Sequence, residues 1–488
     1  MSSLGRVLVV AGMICLVASS SAAQEKPLPA FPGAEGYGAV AVGGRGGRVI
    51  KVTNLKASGP GSFRWAAAQK GRRILVFDVS GVIRGHVLIR DNHCTIAGQT
   101  APAAPVGRGG RREFAPGKLS RLAGHSSPRD AAPGAGITLE GMLLSKYPNG
   151  ADDLIIRFLR VRPRHSRGHT GDGIQMPRSD RVILDHCSVS WSVDELVDCI
   201  GAADWTMQWC TLEEADTVGH DKGRLHNYGF CSAYAGSGRL SIHHNLFAHL
   251  SRRAPCVAPY LENAPADVRN NVIYNVQRAF THSGHGPKTK SPVNLIGNWY
   301  RHGPNADRLY AFCTDSQPQY YIADNYVHKL GYIPDPVTPG AKFPRWFRTN
   351  PRGRRLKKAA PVAPVATQKA EEAYKLVIAR AGCFPRDRVT KRTINEVQTG
   401  TGKWGRNAPA APSDAWFLKG LTVGKPPADA DKDGMPDDWE TAHRLDPNDP
   451  SDANRIVPKG ASPKDRHKGY TWIEYYINDR ADQLLAAR

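Results

Sequence analysis

Between residues 150 and 330 the apolar positions come in short runs rich in β-branched and aromatic residues. Examples are Leu154-Ile-Ile-Arg-Phe-Leu-Arg-Val, Val182-Ile-Leu-Asp-His-Cys-Ser-Val, Leu240-Ser-Ile-His-His-Asn-Leu-Phe and Asp267-Val-Arg-Asn-Asn-Val-Ile-Tyr. Each has the length and composition of a strand. Within the runs one position recurs, occupied by Arg160, Cys187, Cys210, Asn245, Asn271, Asn298 and Asn325, at spacings of 27, 23, 35, 26, 27 and 27. A period near 27 suits one coil of a solenoid, in which each coil buries its inward side against the coils above and below. A β-sandwich would repeat its strands every 8 to 12 residues without this longer period. Asparagines at equivalent turns can hydrogen-bond along a stack and satisfy backbone groups inside it, so they are expected to be structural.

Outside the repeat the pattern changes. Toward the amino terminus, glycines crowd Phe31-Pro-Gly-Ala-Glu-Gly-Tyr-Gly, Gly43-Gly-Arg-Gly-Gly-Arg, Ser58-Gly-Pro-Gly-Ser-Phe-Arg and Thr95-Ile-Ala-Gly-Gln-Thr-Ala-Pro. These lack the lysine-serine or lysine-threonine ending of a phosphate loop and read as tight turns and close coil packing. After residue 345 a basic, Pro/Ala-rich stretch reads as an exposed loop or linker, followed by helical composition over 370–382. Three regions are therefore expected: a β-helical domain over 24–345, a linker and helical segment over 346–426, and a carboxy-terminal region over 427–488.

The first 23 residues carry Arg6, an apolar run over 7–17 and the small residues Ser21-Ala22-Ala23, the three-part form of a secretory signal. The run is well short of the roughly 20 residues that span a bilayer, so a secreted protein without a membrane span is expected. Nine cysteines, Cys15 among them, leave eight for an oxidising compartment, and some of these fit as small buried residues of a repeat interior. The formal charge of +22 favours a polyanionic partner. Much of that excess sits in 108–129 and 345–358, without a nucleic-acid motif, which favours an acidic polysaccharide over nucleic acid, while a merely soluble basic surface explains these stretches equally well.

The amino-terminal phrases above, together with Gly171-Asp-Gly-Ile, Leu184-Asp-His-Cys-Ser-Val-Ser-Trp-Ser, Asp194-Glu-Leu-Val-Asp198, His220-Asp-Lys-Gly, His243-His-Asn-Leu-Phe and Arg253-Ala-Pro, make the chain resemble the pectate lyase family, in particular its secreted bacterial branch. The resemblance runs from Phe31 to about Asn325. It implies a right-handed parallel β-helix that binds galacturonan in a surface groove and cleaves it with calcium, most simply as a monomer. Residue by residue, it implies calcium-binding carboxylates at Asp172, Asp194 and Asp198, a proton-abstracting arginine at Arg253, and a substrate-neutralising lysine at Lys222. A further acidic position of some members is Thr170 here. A second arginine of many members is Ala258, for which Arg252 can compensate, and the basic insert 103–132 departs from the simpler pattern.

The chemistry suits these groups. Removing the proton next to a uronate carboxylate builds negative charge that a cation on the carboxylate oxygens stabilises, and calcium accepts several oxygen ligands while leaving positions for substrate. The histidines His165, His169, His186, His220, His243 and His244 follow no zinc spacing, and several lie in strands, so a packed or hydrogen-bonded state is expected. A glycoside hydrolase casting Asp185 and Asp194 as acid and base is the alternative enzyme, and a non-catalytic polysaccharide-binding β-helix is the other alternative.

Further along, Asp429-Ala-Asp-Lys-Asp-Gly-Met-Pro-Asp-Asp-Trp-Glu440 places Asp429, Asp431, Asp433, Asp437 and Glu440 at loop positions 1, 3, 5, 9 and 12, with Gly434 at position 6. That is the pattern of an EF-hand calcium loop. With Leu445-Asp-Pro-Asn-Asp-Pro-Ser-Asp it resembles a dockerin or thrombospondin-type module, and its calcium is expected to be structural.

Overall fold

The structure, a computed structural model, describes residues 27–103, 134–163, 171–216, 226–232, 237–259, 261–281, 291–305, 310–313, 319–333, 355–404, 409 and 411–486. The expected signal segment, the basic insert from residue 104 onward, Thr170, Lys222 and three of the histidines (His165, His169 and His220) lie outside the described residues.

Each circuit of the chain lays short strands into successive sheets. The first sheet has ten strands, from Arg48–Val52 to Tyr320–Ala323, and the second has ten, from Gly81–Arg84 to Gly331–Tyr332. The third has five: Val87–Ile89, Leu143–Ser145, Ile174–Gln175, Glu195–Asp198 and Tyr228–Cys231. Pairing is parallel from coil to coil, as between Val182–Asp185 and Trp205–Gln208, and among the described strands only the last of the second sheet runs antiparallel. The chain is a right-handed parallel β-helix, as its period and resemblance led us to expect.

Alternation within the strands explains the core. Leu154, Ile156, Val182, Leu184, Met207, Leu240 and Ile242 point inward and stack on one another. Their outward neighbours are covered as well, Ile155 and Ile183 by Ala30, Phe31 and Ala41. Burial on both faces is why the runs read as nearly continuous apolar stretches. Gly38 shows how closely the amino-terminal segment lies: a Cβ there would stand 2.2 Å from the Val182 carbonyl oxygen.

The recurring polar position forms a buried ladder. The Asn245 amide N–H donates to Asn271 Oδ1 at 3.0 Å, Asn271 N–H to Asn298 Oδ1 at 3.0 Å, and Asn298 N–H to Asn325 Oδ1 at 3.1 Å. Each side-chain Nδ2 also satisfies a strand carbonyl, such as Asn271 to Ile242 at 2.8 Å. Cys210 extends the ladder, its N–H donating to Asn245 Oδ1 at 2.9 Å, and Cys187 N–H reaches Cys210 Sγ at 3.4 Å. Arg160, counted in the repeat by sequence spacing, is one residue off: the strand register pairs it with Ser188, which puts Leu159 level with Cys187. Its buried guanidinium donates instead to the carbonyls of Ala135 and Pro385.

The described part of the Pro/Ala-rich stretch, from Arg355 onward, is exposed over much of its length, as expected, and is also tied to the coils as a strap. Leu356 N–H donates to the Tyr320 carbonyl, Ala360 exchanges two hydrogen bonds with the Asn294 side chain, and Gln368 N–H donates to Asn270 Oδ1. An extended proline-rich backbone makes no bonds with itself, so its polar groups are available to outward-facing asparagines of successive coils.

Among the described residues six α-helices accompany the sheets: α1 (Phe63–Ala67), α2 (Ala370–Arg380), α3 (Arg388–Thr399), α4 (Asp414–Phe417), α5 (Asp437–Ala442) and α6 (Trp472–Ala486). Helix α2 buries Ala370 and Val377 on Leu246, Val272 and Tyr274. Helix α3 is capped by Asp387, which accepts from Thr390 N–H. The same carboxylate meets buried Arg162 at 3.2 Å, and Arg162 also reaches Glu213 at 3.1 Å. A buried guanidinium needs such partners, and removing any one leaves an uncompensated charge.

Replacing Asn271 by alanine removes both an acceptor and a donor from the interior. The expected cost is about 3 kcal/mol of unfolding free energy, read from denaturant melts. A loss below about 0.5 kcal/mol would show that the ladder does not hold the coils.

Candidate active site

The third sheet brings together residues far apart in sequence. Strand Glu195–Asp198 lies between Ile174–Gln175 and Tyr228–Cys231, with Asp198 level with Gln175 and Glu195 level with Tyr228. Tyr228 is bridged in turn to Arg252 on the next coil. Parallel stacking thus aligns Asp172, the 194–198 segment, Tyr228 and Arg253 as successive rungs.

Asp172, Glu195 and Asp198 are buried, and their carboxylate oxygens lie within 4.8 Å of one another. Asp172 is held from two sides: Oδ1 accepts from the Glu195 N–H at 2.8 Å and Oδ2 from Gln175 Nε2 at 2.7 Å. Asp198 accepts from Ile200 N–H at 2.8 Å. Burial, followed by the nearby Asp198 and Asp194 carboxylates, pushes the Asp172 carboxyl well above its ordinary range. Burial also dominates at Asp198, opposed by the Ile200 N–H and reinforced by Asp194, and moves it up to about 7. Crowded, desolvated carboxylates of this kind are where a hard divalent cation is best accommodated, and an all-oxygen donor set suits calcium.

Asp194, expected in this set, turns instead to His226, with 2.8 Å between Oδ1 and Nδ1, and acts on the cluster through its charge. Its place among the converging oxygens is taken by Glu195, which sequence reasoning missed. The adjacent acids stand four and three positions before Asp198, and spacing alone does not say which one turns inward.

Arg253 sits beside this cluster. Its backbone is pinned because the Phe230 N–H donates to the Arg253 carbonyl at 2.7 Å, and it adopts a left-handed φ of 59°. The guanidinium contacts the Glu195 carboxylate and lies 4.3 Å from the centre of the Tyr228 ring. Arg252 is exposed, with its guanidinium 5.6 Å from the same ring. Ala258 is fully enclosed beside Cys231 and Cys256, so no cation reaches the site from that position.

A second acidic cluster lies in the carboxy-terminal region. Oxygens of Asp429, Asp431 and Asp433 converge, and Asp433 converges further with Glu440 and Asp452. Asp437, expected among the ligands, instead accepts from the Ala430 N–H at 2.8 Å and stands outside both groups. Asp452 lies beyond the twelve-residue loop and was not anticipated as a member. Burial and then the neighbouring carboxylates raise Asp433 to about 7 and Glu440 to about 8.

A cavity of about 350 Å³ opens elsewhere, lined by Phe31, Arg157, His186, Trp209, Gln368 and Asn478 among others. Two of its charged pairs are Arg157 with Asp185 and Arg466 with Asp482, and Glu35 and Arg380 also line it.

No family model matches the chain. A probable pectate lyase C of Aspergillus fumigatus is 30% identical over 460 residues, covering 92% of this chain and 93% of that protein. The corresponding protein of Emericella nidulans is 31% identical over 468 residues, covering 94% of each. These relatives are fungal, whereas the sequence motifs resembled a bacterial branch. A pectate lyase of Bacillus sp. N165 solved in complex with trigalacturonate aligns with 72% of this chain and 98% of its own, at 16% identity and a TM-score of 0.42, too distant to add to the assignment. With 30% identity sustained over nine-tenths of both chains, this protein belongs to the pectate lyases and is a polysaccharide lyase.

Proposed function

We propose that the protein is a secreted, calcium-dependent pectate lyase that cleaves (1→4)-α-D-galacturonan by β-elimination, as a monomer. The observation that carries this reading is the juxtaposition of Asp172, Glu195 and Asp198, with Arg253 in contact with Glu195, beside the third sheet. Calcium held by these carboxylates, with Asp194 contributing charge, would withdraw electron density from the substrate carboxylate and acidify the neighbouring C–H.

The residues divide the remaining work. Arg253 takes the proton from the carbon bearing the carboxylate, the C–O bond on the adjacent carbon breaks, and the electron pair forms a C=C bond conjugated with the carboxylate. The leaving sugar oxygen takes a proton from solvent water, and Arg253 returns the proton it took to solvent. A guanidinium ordinarily keeps its proton, so this role requires cationic neighbours, which the calcium, Lys222 and Arg252 would supply. Tyr228 holds Arg253 in place through its ring face. Lys222 and Arg252 neutralise and bind substrate carboxylates, Arg252 covering for the arginine that Ala258 replaces. In the carboxy-terminal loop, Asp429, Asp431, Asp433 and Glu440 hold a second, structural calcium.

The hydrolase alternative fares worse. Asp185 is fully buried, and against that burial His186 and Arg157 hold its carboxyl well below the ordinary range, so it has no proton to donate. It also lies in the first sheet, whereas Asp194 adjoins the third.

Incubation with polygalacturonate and calcium is expected to raise ultraviolet absorbance, with no rise in chelator. Arg253→Ala should lower kcat by roughly 10² to 10⁴-fold while leaving calcium binding in place. New reducing ends without absorbance would overturn the elimination mechanism.

The raised Asp198 carboxyl gives a signed pH dependence. Bound as a ligand it must be ionised, so at limiting calcium kcat/KM should fall as pH drops through about 7. More calcium should move that acid limb to lower pH. An acid limb that calcium leaves in place would exclude Asp198 as a ligand.

A further inference from the structure

We infer that the carboxy-terminal acidic cluster is a cation-operated clamp: a calcium-class divalent ion, held by Asp429, Asp431, Asp433, Glu440 and Asp452, locks the carboxy-terminal region onto the first coils of the β-helix. The inference rests on reading the loop as a cation site and adds a ligand from outside the loop, Asp452, and a task for the ion.

The first observation concerns oxygens without partners. Three aspartates fold the loop with one oxygen each: Asp429 Oδ2 accepts from Gly434 N–H, Asp431 Oδ1 from Asp433 N–H and Asp433 Oδ1 from Met435 N–H. Their other oxygens, together with both oxygens of Glu440 and Oδ1 of Asp452, are buried without any hydrogen-bond donor. Glu440 and Asp452 are 0% exposed and Asp433 is 5% exposed. Buried polar atoms are normally satisfied, and a set of converging carboxylate oxygens left unsatisfied is what an oxygen-coordinated cation requires.

The second observation is where the loop lies. Gly434 combines a φ of 96° with close approach, since a Cβ there would stand 2.7 Å from Val49 Cγ1 and 3.2 Å from Val76 Cγ2. The turn that shapes the cation loop is therefore pressed onto the outward face of the first sheet. Beside it, Met435, Trp439, Trp472, Ile473 and Tyr476 cover Ile74 and Val76. Lys51, from the first strand, reaches Asp429 at 2.6 Å and Asp78 at 3.0 Å, tying loop and coil together through the ligand Asp429.

These facts link cation binding to docking. Packing α5, α6 and the 452–454 turn against the sheet brings Asp452 to Asp433 and Glu440, which assembles the site. Lys51 on Asp429 and Arg455 on Asp452, the latter at 3.0 Å, offset only part of the repulsion among five carboxylates in a desolvated place; with a divalent ion the same arrangement becomes favourable. Each process therefore promotes the other by the same factor.

The test compares full-length wild type with Asp452→Asn, Glu440→Gln and, for the candidate catalytic site, Asp198→Asn. Calcium stoichiometry is read by calorimetry, melting temperature by calorimetric scans, and amide hydrogen exchange at 48–52 and 73–77. In wild type, calcium at about 100 times its dissociation constant should raise the melting temperature by about 5 °C and slow exchange in both strands. Glu440→Gln and Asp452→Asn should lose one bound calcium, the temperature shift and the added protection, yet keep calcium-dependent elimination at low temperature. In chelator these two amide variants should melt at or above wild type, because they remove repulsion, an outcome that distinguishes a lost ligand from damaged packing. Asp198→Asn should keep the temperature shift and lose activity. Unchanged stoichiometry in the Glu440 and Asp452 variants would overturn the loop as a cation site. A lost calcium with the temperature shift and protection intact would overturn the clamp alone.

Discussion

Parallel, in-register stacking of coils is the constraint from which the rest follows. Each coil pairs its strands with the coils above and below, and a slip of one residue would turn inward side chains outward. The asparagine ladder from Asn245 to Asn325 opposes such a slip, because each side chain fits one carbonyl and one amide at a single register. Given that register, Asp172, Glu195, Tyr228 and Arg253 become neighbours although they span three intervals of the chain. The candidate site is thus a property of stacking as much as of any motif.

The outside of the helix is as organised as the inside. The outward face of the first sheet is covered by the amino-terminal segment, the strap and the carboxy-terminal helices in turn, and that of the second sheet by α2 and α3. Where the covering is apolar it follows from strand composition. Where it is charged, as at Arg162 between Glu213 and Asp387, it sets the position of α3 relative to two separate coils. Such a triad gains little net stability over an apolar contact, but it tolerates few alternative arrangements.

Two carboxylate clusters in one chain illustrate different solutions to crowded negative charge. In the third sheet, backbone N–H groups, Gln175 and the Arg253 guanidinium share the load. In the carboxy-terminal cluster the backbone takes one oxygen from each of three aspartates and Arg455 takes one from Asp452, while the other oxygens of these four and both of Glu440 have no donor. The first arrangement places a guanidinium next to acidic groups. The second has no neighbouring base and is suited to holding an ion in place.

The sequence by itself determined the solenoid, its approximate coil length, the polar ladder and the acidic loop with its obligatory glycine, because each of these is a local pattern repeated or spaced along the chain. Tertiary structure decided the rest. Leu159 and not Arg160 stands level with Cys187, since a coil can be one residue longer than its neighbour without altering the composition of its strand. Glu195 and not Asp194 joins Asp172 and Asp198, since which of two adjacent acids turns inward depends on His226 and Arg253 from other coils. Asp452 enters a loop that ends twelve residues before it, and Asp437 leaves that loop for a local N–H. Spacing describes a chain as a line, whereas these choices are made where distant parts of that line meet and compete for the same charge.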